Sequence, residues 1–443
     1  MNQFIKKLLA TVLSMTIVLS ITACAPPEVG GEEDDPFANQ QIDTSKTQLF
    51  INNFYGGYGA DWLAAAKARY EELHKDDVYE EGKKGVQLYI NNQKVSATSV
   101  ASTILDNRDD IYFSEGSFYR TLKSDGVLAD ITEAVKGDLE PYGDPAGSTI
   151  EKKLTAQQKE FYGIEEDGET HYYGLPHYSG YMGITYNVDL FDEKGYYFVD
   201  GYQTQTGDRK FQGTRYKDKA KSAGLDGKAG TDDDGLPTTY EEFKELVGYI
   251  QRGGDTAISW NGADLAYLTY FLQALVTDYE GADQMMLNYN FGSSGIEAAD
   301  LGKIVGGQFV KDTESTPITP ETGYETARQQ GKYEGLKFLS WLVDKNNDKY
   351  HGQWNFNSSY SHINAQEDYL LSGHDGGVTA PIAMLIDGIW WENEASSTFS
   401  RMVSSYGQEY SKASRRFAFM PLPKATADKA AEAAERGKPM TLL

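Results

Sequence analysis

Along most of the chain, short apolar runs alternate with segments in which apolar positions recur every three or four residues. That switching predicts strands alternating with helices. Leu49-Phe50-Ile51 predicts a strand over Gln48 to Asn52, followed by the glycine-rich loop Asn53-Phe54-Tyr55-Gly56-Gly57-Tyr58-Gly59. Asp61 is placed to cap a helix with Trp62, Leu63, Ala66, Tyr70 and Leu73 on its apolar face. Val86 to Ile90 predicts a second strand ending at Asn91 and Asn92, and Val100 to Leu105 a helix. Ile111 to Phe113 predicts a third strand ending at Ser114 and Glu115, and a helix through Tyr119 and Leu122 stops near Gly126. Strands joined by short helical connections imply right-handed crossovers and a parallel sheet. Ligands of open parallel sheets sit outside the carboxyl ends of the strands. Those ends here carry Asn52, Asn53, Tyr55, Asn91, Ser114 and Glu115, a polar and aromatic set with almost no positive charge.

The stretch Tyr173-Gly174-Leu175-Pro176-His177-Tyr178-Ser179-Gly180-Tyr181-Met182-Gly183-Ile184-Thr185-Tyr186-Asn187 marks a crossing between two such α/β units. Pro176 disfavours a helical Leu175, so the segment enters extended. Gly183 to Tyr186 predicts a short strand. Asn187 is placed to cap a helix through Asp189 and Phe191, with Gly195 as its stop. Tyr196 to Arg215 reads as a small hairpin or a loop. Thr239 and Glu242 have capping-box spacing at the start of a helix whose buried stripe is Phe243, Leu246, Val247 and Ile250. Ala257 to Trp260 predicts a strand ending in Asn261-Gly262, and Leu265, Leu268, Phe271, Leu272 and Leu275 a further helix. Helices are also expected over Tyr324 to Val343 and from Glu392 towards Met402. Ala383 to Ile386 and Phe417 to Met420 are the last predicted strands, the former running into Asp387-Gly388-Ile389-Trp390-Trp391.

The length of 443 residues calls for two lobes, 48–175 and 176–443. With 66 acidic against 41 basic residues, the formal charge of −25 argues against nucleic acid or an anionic lipid face as a partner. Lys6 and Lys7 precede an apolar run from Leu8 to Ile21 and the sequence Ile21-Thr22-Ala23-Cys24. That is the pattern of a secretory signal over residues 1–23, and its apolar run is shorter than the ~20 residues a membrane span needs. Cys24 is the only cysteine, so no internal disulfide forms. Residues 24–47 are acidic and rich in proline and glycine, and are expected to be a disordered tether.

Catalytic motifs are absent: the chain has no G-x-S-x-G, H-E-x-x-H, Walker A or G-x-G-x-x-G. The six histidines are scattered, and His362 and His374 read as solvated loop residues. Aromatic residues make up 13% of the chain, with 31 tyrosines and 6 tryptophans. Flat rings pack on the C–H faces of sugars, whose hydroxyls pair with Asp, Glu, Asn and Gln. Trp260 and Trp390 both follow strands, beside Asn261 and Asp387, where a ligand would sit; core packing is the alternative for either ring. Trp391 and Trp341 read as structural, Trp62 is open between the two roles, and Trp354 is placed in a loop. Asp226, Asp232 and Asp234 lie in Gly224-Leu225-Asp226-Gly227-Lys228-Ala229-Gly230-Thr231-Asp232-Asp233-Asp234-Gly235, which is either a structural calcium loop or a polar turn capped by its own carboxylates. No other cofactor is expected.

The chain resembles the family 1 extracellular solute-binding proteins, the substrate-binding lipoproteins of bacterial ABC sugar importers, of which the maltose-binding proteins are members. The resemblance rests on Cys24 in a lipobox-like setting, on Asp110-Ile111-Tyr112-Phe113 with Gly126-Val127-Leu128-Ala129-Asp130-Ile131-Thr132, and on Leu175-Pro176 followed by Gly183-Ile184-Thr185-Tyr186-Asn187-Val188-Asp189-Leu190-Phe191. It rests further on Leu236-Pro237-Thr238-Thr239-Tyr240-Glu241-Glu242-Phe243 and, above all, on Ala383-Met384-Leu385-Ile386-Asp387-Gly388-Ile389-Trp390-Trp391-Glu392-Asn393-Glu394-Ala395. It implies a type II periplasmic-binding-protein fold, two lobes of mostly parallel sheet flanked by helices with a ligand cleft between them. It also implies lipidation at Cys24, a monomer on the outer face of the cell membrane, and a permease as partner. Trp390 matches the tryptophan that stacks on sugar in the maltose-binding relatives, and Tyr178, Ser179 and Tyr181 match their ligand-touching crossover. The acidic residue often found there is replaced by Ser179-Gly180. Family members cross back to the first lobe after a strand like Phe417 to Met420, and this chain is expected to end at Leu443 before that return.

Two readings therefore stand: a binding protein that closes on an oligosaccharide by hinge motion, and a surface-anchored glycoside hydrolase using Glu115 and Asp387 as paired carboxylates. A structural or adhesive surface lipoprotein is a third.

Overall fold

The computed structural model describes residues 36–437, apart from 55–56, 93–99, 108, 115–118, 203–206, 293–294, 345–356 and 375–379. Among the described residues, no helix is long and apolar enough to cross a membrane. The chain forms two compact α/β units. One holds the residues up to Val95 with Asn107–Ser114, the other Ser96–Asp106 and everything from Glu115 on.

In the first unit, β1 (Thr47–Asn53), α1 (Asp61–Leu73), β2 (Val86–Asn92) and β3 (Ile111–Tyr112) build an all-parallel sheet in the order β2-β1-β3. Crossing to one side of β1 and then to the other puts its topological switch point at the carboxyl ends of β1 and β3. Asp61 opens α1 as expected, but its side chain caps nothing. Residues 36–46 correct the expected tether, which was to run to Thr47. Phe37 is buried with Ile51, Leu63, Val86, Leu88 and Ile90. The Gln40 side chain pairs with both backbone groups of Ile90, donating to its carbonyl at 2.9 Å and accepting from its N–H at 3.2 Å. One amide thus stands in for a missing strand along the open edge of β2.

The second unit opens with α2 (Val100–Asp106), α3 (Tyr119–Ser124), α4 (Thr132–Lys136), α5 (Ile150–Lys153) and α6 (Ala156–Tyr162). The hairpin β4 (Gly163–Glu166) and β5 (Glu169–Tyr172) follows, turning on Asp167 and Gly168, both with positive φ as a two-residue hairpin loop requires. Residues 119–175 therefore belong to this unit, whereas the sequence placed them in the first lobe.

The main sheet takes β6 (Met182–Asn187), β7 (Thr256–Ser259), β10 (Ile382–Gly388) and β11 (Phe417–Met420) in the order β11-β6-β10-β7. β10 and β7 are parallel, while β6 runs against both its neighbours. The mostly parallel sheet expected of each lobe thus holds in the first unit, and the second sheet is mixed because the crossover strand enters it from the opposite end. β6 passes directly into α7 (Val188–Lys194). Asn187 caps it by accepting from Leu190 N–H at 3.1 Å, and Gly195 stops it in the left-handed region, as the sequence predicted. Phe198 and Phe211 form a single antiparallel bridge in the segment read as a hairpin or loop.

α8 (Tyr240–Arg252) buries Tyr240, Phe243, Leu246, Val247 and Ile250, each apolar side chain contributing ~1.5–3 kcal/mol on burial. Thr239 caps it, but Glu242 reaches back to Thr238 rather than closing the box on Thr239. α9 (Leu265–Glu280), α10 (Ala282–Asn290), the hairpin β8 (Gly302–Val305) and β9 (Gln308–Lys311), α11 (Gln330–Leu342) and α12 (His362–Leu371) follow. A 3-10 turn over Gly323–Arg328 takes the first part of the helix expected from Tyr324. Past β10, the helix expected from Glu392 is broken at Ala395 into α13 (Trp391–Glu394) and α14 (Ser396–Tyr406); α15 (Ala427–Arg436) comes after β11.

Two buried polar contacts tie helices into this body. Lys424 forms an ion pair with Asp278 of α9, each side chain 3% exposed, while its backbone bonds to Thr238 and Tyr240. Loss of either partner would strand a buried charge. Glu280, at the end of α9, accepts from Gly331 N–H at 2.6 Å in the first turn of α11. Burial pushes the Glu280 carboxyl up to about 7, partly offset by that N–H.

An acid whose pKa is raised on folding contributes stability below its unfolded value that is lost as pH rises through the folded one. Glu280→Gln should therefore match the wild type near pH 4.5 and exceed it in stability by roughly 1–3 kcal/mol above pH 7. Urea unfolding at several pH values measures this, and an equal offset at all pH values would refute it.

Candidate functional site

The carboxyl end of the second sheet gathers chemistry from strands β6, β7 and β10 and helices α9, α12 and α13. Because β6 and β10 are antiparallel with Gly388 opposite Met182, the start of one meets the end of the other. Ile389 N–H donates to Tyr181 C=O at 3.2 Å, which extends the pairing by one rung. The backbone thus holds Tyr181 beside the turn carrying Trp390. On the other side, β7 pairs in parallel with β10, and its end delivers Trp260 and Asn261.

Trp390 is partly exposed, and its ring folds back over Gly388. A Cβ built on Gly388 would sit inside the indole, so only glycine leaves room for this placement. The indole Nε1–H donates to the Tyr267 hydroxyl at 3.1 Å, and the two rings meet edge-on with centroids 6.3 Å apart. Tyr267 lies on α9, just after a loop in which Asn261 accepts from Asp264 N–H at 3.0 Å and Asp264 caps the helix. His362, the first residue of α12, stacks on Tyr267 with centroids 5.3 Å apart and an interplanar angle of 19°.

Beneath these rings lie two carboxyl groups. Asp387 is 1% exposed and the Glu394 side chain 5%. Gln366 Nε2 donates to both, at 3.0 Å to Asp387 and 2.9 Å to Glu394, and Gly388 N–H donates to the other Asp387 oxygen at 2.7 Å. Burial, with the Glu394 charge adding to it, holds the Asp387 carboxyl well above the usual carboxylate range, against the pull of those donors. His362 Nε2 lies 3.8 Å from Glu394. Burial likewise pushes the Tyr267 phenol up, so its hydroxyl stays protonated.

In front of β6, Tyr178 is 36% and Tyr181 42% exposed, and Ser179 is exposed between them. Tyr181 packs edge-on against Phe419 at 5.2 Å, and Tyr178 against His177 at 4.4 Å. The strand pairings therefore bring together Tyr181, Asp387, Trp390 and Asn261 among the residues expected from the sequence.

Other expectations are corrected. Trp260 is 1% exposed and packs edge-on against Phe271, so it is a core ring with no face to offer a ligand. Ala257, Ile258 and Ser259 of its strand are buried, and so is Asn261 just past it. Asp387 is a buried support rather than a group that reaches a ligand. Asn53, in the first unit, is 2% exposed and donates to Asn92 at 2.8 Å, while Asn52 and Asn91 both donate to Asp109. These amides fasten the strand ends to one another. Tyr55, Glu115, Trp354 and Cys24 lie outside the described residues. Trp391 is buried as expected, Trp341 packs against the core, and Trp62 meets Phe113 edge-on. His374 packs against the rings of Tyr406 and Tyr410, and His362 stacks on Tyr267, so neither is a fully solvated side chain.

The aspartate loop is a self-capped turn. Asp233 accepts from Leu225 and Asp226 N–H, Asp226 from Lys228 N–H, and Asp234 from Gly230 N–H, at 2.7–3.0 Å. Asp232 points outward, and Asp233, which the sequence did not single out, is the buried centre. Asp226 and Asp234 each turn an oxygen to these donors, and Asp232 takes part in none of these bonds. Among the described residues, no three His, Cys, Asp or Glu side chains gather in a metal-holding arrangement.

Tyr267, His362, Gln366 and Glu394 are the site residues that sequence reasoning missed. Only the spacing of His362 and Gln366, one helical turn apart on α12, hinted that they share a face.

No family model matches the chain, and no curated protein matches it. Among solved structures, the chain is similar to the apo form of RafE from Streptococcus pneumoniae, at 12% identity and a TM-score of 0.46 over 87% of this chain and 70% of that one. It is also similar to a chitin oligosaccharide binding protein, at 14% identity and a TM-score of 0.46 over 87% of this chain and 69% of that one.

Gly388→Ala should displace the indole while leaving the sheet intact, at a cost of roughly 1–3 kcal/mol for overpacking. Near-ultraviolet circular dichroism should change with the far-ultraviolet spectrum retained; an unchanged near-ultraviolet spectrum would contradict the placement of the ring.

Proposed function

We propose that this chain binds a carbohydrate, an oligosaccharide in particular, at the carboxyl end of its second sheet, and hands it to a membrane permease. The observation that carries the reading is Trp390. It is a partly exposed indole fixed on a strand end, with an exposed tyrosine, Tyr181, held beside it by backbone pairing. Ring faces of this kind pack on the C–H faces of sugars. Tyr178 and Ser179 supply hydroxyls on the same approach, suited to the donor and acceptor pattern of a sugar rim. The acidic chain disfavours polyanionic ligands, in line with a neutral one. The transport role and the lipid anchor at Cys24 on the outer face of the membrane come from the N-terminal sequence and the family resemblance.

The placement of Asp387 speaks against the hydrolase reading. Asp387, assigned to it together with Glu115, is buried with both oxygens bonded, so it reaches no glycosidic oxygen.

The test is calorimetric titration and thermal shift with oligomers of glucose, xylose and mannose. Binding without product is expected for at least one series. Trp390→Ala should weaken it by at least about tenfold, the scale on which a central tryptophan contributes to an interface, with the fold retained. An unchanged dissociation constant would refute the placement, and steady release of product would refute the binding role.

A further inference from the structure

We propose that Tyr267 is a positioning residue: it fixes the plane of the Trp390 indole before any ligand arrives, so that the ring is met only by its face. The inference deepens the carbohydrate reading and rests on it for its second arm, while its first arm needs no ligand.

Besides its interaction with the buried Asp387 carboxyl, the indole is held at two further places. Its Nε1–H is taken by the Tyr267 hydroxyl at 3.1 Å, and its six-membered ring lies against the bare backbone of Gly388. Tyr267 is itself clamped. It is 7% exposed and stacks flat on His362, with centroids 5.3 Å apart. His362 approaches Glu394, and Gln366, on the same helix face as His362, bonds to Glu394 and to Asp387 below. The contacts close into a ring running from α9 through α12 and α13 to β10 and back to the indole. Each member is buried or half-buried, so none swings freely in water.

Two consequences follow. A ring held this way loses little rotamer freedom when a ligand packs on it, which preserves affinity. An indole whose N–H is already bonded offers no donor, so it selects by the shape of an apolar face and leaves hydroxyl reading to other groups. Tyr267→Phe keeps the stack on His362 and removes the hydroxyl that accepts the indole N–H, leaving the buried Asp387 carboxyl as the remaining acceptor beside it.

The experiment uses the full chain labelled with 5-fluorotryptophan. The Trp390 fluorine resonance is assigned by its loss in Trp390→Phe. Without ligand, Tyr267→Phe should shift and broaden that resonance, while the five other tryptophans, which report an intact fold, stay in place. An unmoved Trp390 resonance overturns the proposal. Maltotriose, xylotriose and mannotriose are then titrated. For whichever binds, Tyr267→Phe should weaken affinity about fivefold in the wild-type background and not at all in Trp390→Phe. Equal losses in both backgrounds also overturn it. If none of the three binds the wild type, the carbohydrate reading loses its support in these sugars, and the fluorine spectrum alone decides whether Tyr267 sets the ring.

Discussion

The antiparallel pairing of β6 with β10 is the constraint on which the candidate site depends. Strand pairing fixes register, and a slip of one residue would turn every side chain to the opposite face. Here the register sets Gly388 opposite Met182 and Ile389 against Tyr181. That single alignment places the exposed end of the crossover beside the turn that carries Trp390. The same pairing makes the second sheet mixed, so its carboxyl edge combines the ends of β7, β10 and β11 with the start of β6. A purely parallel sheet would have offered strand ends alone.

Behind the exposed rings, the site is supported by ionisable groups in a dry setting. Asp387 and Glu394 share one amide donor, and His362 is the basic side chain placed against them. Two buried carboxyl groups so close cannot both be charged without cost, and burial holds Asp387 towards its neutral form. The cluster thus serves as scaffolding beneath the ring. The same physics recurs elsewhere in the unit, where Lys424 and Asp278 share a buried site and Glu280 caps a helix from the interior.

Much of the fold was legible in the sequence, because local rules and tertiary packing agreed there. Asn187 and Gly195 bracket α7, Thr239 opens α8, and the apolar stripe of that helix is buried as its period implied. The strand-end rule also pointed to the edge of the second sheet where the partly exposed Trp390 meets the exposed Tyr181. It failed on the direction of individual side chains. Trp260 and Trp390 occupy equivalent positions by sequence, yet one packs on Phe271 and the other lies over Gly388, a difference set by what covers each strand. Phe37 was missed because a lone aromatic in an acidic stretch gives no periodic signal, although it completes the first core. The network around Tyr267 was out of reach for a similar reason. Its members come from α9, α12, β10 and α13, and only folding brings them together.

The central claim is that a sugar is taken up at this strand edge, on a ring prepared to receive it. The most direct measurement is a crystal structure of the chain with a bound oligosaccharide from the series that stabilises it. The account predicts an intact sugar ring lying parallel to the exposed face of Trp390, with Tyr181 in contact and the indole N–H still on Tyr267. A sugar bound elsewhere on the chain, or an indole turned away from Gly388 with its N–H on the ligand, would contradict it.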